Sequence, residues 1–150
     1  MASWSDLQAA APALAAFGRQ RLECRVGYLA TLRADGAPRL HPVSPFIGDG
    51  LYVYMAPGSP KVTDLRRDPR YALHGAVEDD SGGEGEFCID GRAVELVEAA
   101  RRTEAFAAAR AVGYRPGDRH VVFELRLARV LATTYGEGRR RERWSPPTRP

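Results

Sequence analysis

Asp35-Gly36 stands between two extended runs, and a dipeptide of this kind is a strong hairpin signal because its residues tolerate positive φ. On its N-terminal side, Val26, Tyr28, Ala30 and Leu32 alternate with Gly27, Leu29, Thr31 and Arg33. Both sets are mostly apolar, which predicts a strand buried on both faces. On its other side the stretch from Arg39 to Ile47 also reads as extended, but it contains Pro42 and Pro45. Prolines cannot donate to a ladder, so this strand is expected at an edge, bulged, or with backbone left free for another partner. Gly48-Asp49-Gly50 then turns the chain into Leu51–Met55. Three successive strands joined by tight turns predict an antiparallel meander.

The remaining pattern adds helices between further strands. Ser5 is a plausible N-cap for an alanine-rich helix running to Leu22, with Pro12 as a kink. Ser59 followed by Pro60 writes a helix start, and Pro69 ends that helix. A strand is expected over Arg70 to Ala76, then an acidic, glycine-rich loop from Glu78 to Gly85. Phe87 to Val97 reads as a strand with a bulge at Gly91. Ala99 to Val112 reads as a helix closed by Gly113. His120 to Thr134 is a long strand, Arg139 to Trp144 a short last one, and residues 145–150 a frayed tail. The summed expectation is a mainly β, α+β domain: a six- to seven-stranded antiparallel β-barrel with peripheral helices.

Composition narrows what such a domain does. At 150 residues the chain is sized for one core, so 1–150 is read as a single domain whose first 22 residues form the N-terminal helix. Its net charge of +3 resides largely in Arg139, Arg140, Arg141 and Arg143, and the nearly neutral body argues against a dedicated nucleic-acid binder. The longest apolar run, Ala9 to Phe17, is interrupted by Pro12 and falls well short of the roughly 20 residues of a membrane span. No basic segment precedes it, so a secretory signal is not expected. Cys24 and Cys88 form no CxxC pair and fit either two packed thiols in a reducing cytoplasm or a single disulfide. Three scattered histidines offer no structural zinc site.

Lys61 is the only lysine in a chain whose other basic side chains are arginines, histidines aside. An exposed helix face would explain it equally well, but it falls in the first turn after Ser59. A helix start carries unpaired N–H groups and partial positive charge, so Ser59 and Lys61 there outline an anion cradle. Arg39 is the second candidate. On an extended strand it shares a face with His41 and Val43, while Leu40, Pro42 and Ser44 take the other. Taken singly, Arg39 reads as a solvated residue, His41 as a packing histidine, and Tyr52 and Tyr54 as ordinary barrel aromatics.

In order, the segments ATLRADG, PRLHPV, LYVYM, APGSPKVTDLRRDPR and FCIDGRAVEL resemble the pyridoxamine 5′-phosphate oxidase-like family, the FMN-binding split barrels. The resemblance covers roughly Cys24 to Thr134. It implies that Arg39 reaches the cofactor phosphate while Leu40, His41, Pro42, Val43 and Ser44 line the flavin ring. Tyr54 and Met55 correspond to the pair ending the next flavin-contacting strand, and Ser59-Pro60-Lys61 to a Ser-Arg-Lys phosphate triplet. Glu86 falls near a flavin-contacting glutamine. Pro60, Ser44 and Glu86 depart from the family pattern, and the substrate motif of the vitamin oxidases is missing, so pyridoxamine phosphate oxidation itself is not expected.

What the resemblance implies is an FMN-dependent oxidoreductase, passing hydride through flavin N5 to or from a small molecule. It also implies a homodimer with the cofactor at the subunit interface. Alternatives are a reductase using the deazaflavin coenzyme, whose polyglutamyl tail the arginines at 139–143 would meet, and a non-enzymatic flavin or haem carrier or sensor. A β-barrel nucleic-acid binder ranks last, because it needs a basic, aromatic-studded face.

Overall fold

The structure, a computed structural model, describes residues 1–147. Part of the tail expected at 145–150 therefore lies outside the described residues. The N-terminal segment forms two helices, α1 (Trp4–Ala10) and α2 (Pro12–Leu22), rather than one kinked helix. Pro12 stands at a helix start, where its missing N–H costs nothing. The first cap is Ser3, not Ser5: its hydroxyl accepts from the Asp6 N–H, and the Asp6 carboxylate accepts from the Ser3 N–H at 2.7 Å.

Eight strands follow: β1 (Gly27–Leu32), β2 (Pro38–Val43), β3 (Phe46–Ile47), β4 (Leu51–Met55), β5 (Arg70–Gly75), β6 (Glu86–Glu95), β7 (Val121–Thr134) and β8 (Arg140–Trp144). Helix α3 (Pro60–Arg67) joins β4 to β5, and α4 (Ala99–Ala111) joins β6 to β7. The strands form one antiparallel sheet in the order β2-β1-β5-β6-β7-β4-β3, curled into a half-barrel, with β8 added to β7. The fold is thus mainly β with peripheral helices, and the division of the expected Arg39–Ile47 strand into β2 and β3 raises the strand number to eight.

The meander expectation fails. The run from Arg39 to Ile47 breaks at Ser44-Pro45 into two strands, and β2 and β3 lie at opposite ends of the sheet order. The β1–β2 ladder runs through Pro42 to Val43, and Ser44-Pro45 ends it and lets the chain cross the split of the barrel to begin another. As the prolines require, β2 is an edge strand that pairs only with β1. β1 is buried on one face only, since Leu29 is inaccessible while Tyr28 is exposed.

The core lies inside the curl. Leu29, Leu73, Ile89 and Val130 are successive cross-strand partners on β1, β5, β6 and β7, and all are buried. Each such side chain contributes about 1.5–3 kcal/mol by leaving water. Trp4, Leu7 and Leu14 from the first two helices cover them, with Phe87 wedged between the rings of Trp4 and Phe17. The expected bulge is present: the β6–β7 register shifts between Asp90 and Gly91. Glu124, buried in β7, ties α4 to the sheet through Arg101 and accepts from Arg126 at 2.8 Å.

One local expectation is corrected: both cysteines are free, but Cys24 is exposed rather than packed, at a left-handed turn with φ 57°. Trp144, at the end of β8, is partly buried against the core opposite Val130.

Candidate functional site

Ser59 occupies the N-cap of α3 with extended backbone, and Pro60 follows as the first helical residue, as the sequence indicates. Its hydroxyl makes no capping hydrogen bond. One residue on, Lys61 is partly buried and forms no ion pair among the described residues. Burial lowers its ammonium from the ordinary lysine value, the sign expected of a cation that lacks a counter-charge.

Lys61 faces a cavity of about 220 Å³ at the split of the barrel. Pro42, Val43 and Ser44 enter it from the end of β2, and Tyr54 from β4. Two residues that the sequence did not single out complete the aromatic side. Phe46 packs edge-on to Tyr54 at 5.3 Å and stacks on Tyr114, which follows α4. Val26 supplies an apolar margin.

Two buried polar atoms in this region have no hydrogen-bond partner: the Tyr54 hydroxyl and His41 Nε2. An orphaned buried polar group costs about 1–3 kcal/mol, so the Tyr54 hydroxyl in a cavity it shares with an unpaired lysine marks a place shaped for a polar ligand. Burial pushes the Tyr54 hydroxyl well above the usual tyrosine range, so it is a donor at any ordinary pH. Burial, then the charges of Lys61 and Arg39, lower the His41 imidazole.

Arg39 is neither solvated nor free. Its Nε–H donates to Asp64 Oδ2 at 2.7 Å, and Thr31 donates to the same oxygen at 3.0 Å. Asp64 was not foreseen as a site residue. The available signal was its place three residues after Lys61 on the same helix. Burial pushes its carboxyl up, and the bonds from Arg39 and Thr31 outweigh this, leaving it below the usual carboxylate range.

The other residues drawn from the resemblance do not line the cavity, Arg39, His41 and Ser59 included. Leu40, on the same face of β2 as the cavity-lining Pro42, is 65% exposed, while Met55 is a core residue on β4. Glu86 starts β6 opposite Thr133, beside Tyr135. None of the arginines at 139–143 lines the cavity. Larger clefts of about 650 and 510 Å³ flank β8, but neither gathers a buried unpartnered polar atom. Among the described residues no group of histidine, cysteine and carboxylate side chains could hold a metal. No helix there is long and apolar enough to cross a membrane.

Solved structures of similar fold include a haem-binding protein from Mycobacterium smegmatis, at 22% identity and a TM-score of 0.66. That match covers 87% of this chain, which spans only 57% of the mycobacterial protein. An FAD-binding protein from Mesorhizobium loti matches at 26% identity and a TM-score of 0.58, over 77% of this chain and 89% of its own. A NimC/NimA family protein from Clostridium acetobutylicum matches at 19% identity and a TM-score of 0.59, over 86% and 94%. No curated protein matches the sequence. The family model described as pyridoxamine 5′-phosphate oxidase matches residues 12–134, from the start of α2 to the end of β7. The chain belongs to the pyridoxamine 5′-phosphate oxidase family.

Proposed function

We propose that the protein is an FMN-dependent oxidoreductase acting on a small molecule as a cytoplasmic homodimer. The observation that carries this reading is Lys61 at the start of α3, unpaired among the described residues and lining one cavity with Tyr54, whose buried hydroxyl lacks a partner. Lys61, the Ser59 hydroxyl and the outer nitrogens of Arg39 would hold the phosphate, through charge-assisted bonds worth about 1.5–3 kcal/mol each. The Tyr54 hydroxyl and the backbone of Pro42, Val43 and Ser44 would orient the ring, with Phe46 and Tyr114 excluding water from one side. A bound flavin supplies the redox chemistry, which agrees with a site that contains no nucleophile–base pair.

The homodimer is supported by size and exposure. A cavity of about 220 Å³ is smaller than the roughly 300–1,000 Å³ of typical small-molecule sites, so a single chain offers part of a site. Beside it, Val26, Tyr28 and Leu40 are 44%, 43% and 65% exposed on the outer face of β1 and β2. Such an apolar strip continuous with the cavity suits a second copy of the chain. Free cysteines at positions 24 and 88 agree with a reducing compartment.

Parallel titration of the purified protein with FMN and with the deazaflavin coenzyme, together with mass spectrometry of any co-purifying small molecule, tests the assignment. Saturable FMN binding with perturbed flavin absorbance is expected. A colourless protein that titrates with neither cofactor would refute it.

A further inference from the structure

We propose that Asp64 is a positioning residue for the anion cradle, aiming the guanidinium of Arg39 so that the site distinguishes a phosphate-bearing ligand from its dephosphorylated form. The inference rests on the phosphate-binding reading above.

Three elements meet at this carboxylate. Asp64 is 3% exposed on α3, Arg39 is on β2, and Thr31, the cross-strand partner of Arg39, is on β1. Oδ2 accepts from Arg39 Nε at 2.7 Å and from Thr31 at 3.0 Å, while Oδ1 lies 3.4 Å from Arg67. Asp64 shares α3 with Lys61, one turn away. The ion pair therefore fixes the guanidinium relative to the ammonium on the same helix. Arginine loses considerable rotamer entropy when it is held, and here that ordering is complete before any ligand arrives. Engagement through Nε also leaves both terminal nitrogens without a protein partner among the described residues, available as a fork for phosphate oxygens.

Charge alone predicts the opposite consequence. Removing a carboxylate next to a cationic site should tighten anion binding, whereas losing the hold on Arg39 should weaken it. Asp64→Asn separates the two because it keeps the shape and removes the charge. Dissociation constants for FMN and riboflavin would be measured on wild type, Asp64→Asn and Thr31→Val, the last leaving every charge in place. The expected result is at least a tenfold loss of FMN affinity in Asp64→Asn, a smaller loss in Thr31→Val, and riboflavin affinity within twofold of wild type in both. FMN binding by Asp64→Asn that is unchanged or tighter overturns the proposal. So does an equal loss of FMN and riboflavin, which would mark a merely structural role. Should wild type bind neither flavin, the cofactor reading fails by itself, and inorganic phosphate titrated with NMR detection becomes the probe. Phosphate binding weakened in Asp64→Asn then upholds the proposal, and phosphate binding absent from wild type or unaltered in the variant overturns it.

Discussion

Tyr114 stacks on Phe46 with ring centroids 4.8 Å apart and planes inclined by 20°. Phe46 begins the strand that follows the barrel split, and Tyr114 follows the left-handed Gly113 at the end of α4, so the stack carries the α4–β7 connection to the candidate site. Such a pair is worth about 0.5–1.5 kcal/mol beyond burial, equivalent to roughly two- to tenfold in affinity if a ligand relies on the wall. Tyr114→Ala is expected to raise the FMN dissociation constant by that factor and Tyr114→Phe to leave it near wild type, as read by flavin fluorescence.

The Lys61 ammonium sets an alkaline limit. Burial lowers its pKa in the free protein, so the charge is present at low pH and lost on raising the pH through a value below the ordinary lysine one. FMN affinity should therefore decline as pH rises towards 10. Lys61→Arg, which stays protonated throughout, should remove the decline. Titrations between pH 7 and pH 10 check this, and parallel profiles for the two proteins would speak against it.

The bulge in β6 admits no side chain. A Cβ at Gly91 would lie 1.9 Å from the Arg126 carbonyl oxygen, a backbone atom that cannot step aside. Gly91→Ala is expected to destabilise by at least ~3 kcal/mol, through overpacking and lost ladder pairing. Chemical denaturation measures the loss.

Leu40 tests the proposed dimer without entering the cavity. Leu40→Asp places a charge on the outer face of β2 opposite Ala30. If a second copy covers that face, the variant should sediment as a monomer and bind FMN more weakly, while its folded spectrum is retained. A dimer surviving the substitution would move the interface elsewhere.

Much of the fold was legible because its signals are local. Asp35-Gly36 reverses the chain, Gly91 marks a bulge, and Ser59-Pro60 starts a helix, each through conformational preferences confined to a few residues. The strand crossing at Ser44-Pro45 was half legible. Prolines announce that a ladder stops, but which strand resumes it depends on barrel closure, a property of the whole sheet. Within the site, Lys61 stood out by rarity and position. Arg39–Asp64 did not, since the partners are 25 residues apart and Asp64 looks like an ordinary polar helix residue. Tyr114 was hidden for a similar reason: its stacking partner lies in a distant element. Met55 was drawn from the resemblance as part of a whole segment, whereas strand alternation turns it into the core, away from the cavity that Tyr54 lines.

The central claim is that Lys61 holds the phosphate of a bound flavin, and an absorbance titration of FMN into wild type and Lys61→Ala tests it most directly. Losing one charge-assisted hydrogen bond should weaken FMN binding by roughly tenfold or more. Equal affinity in the two proteins would contradict the account.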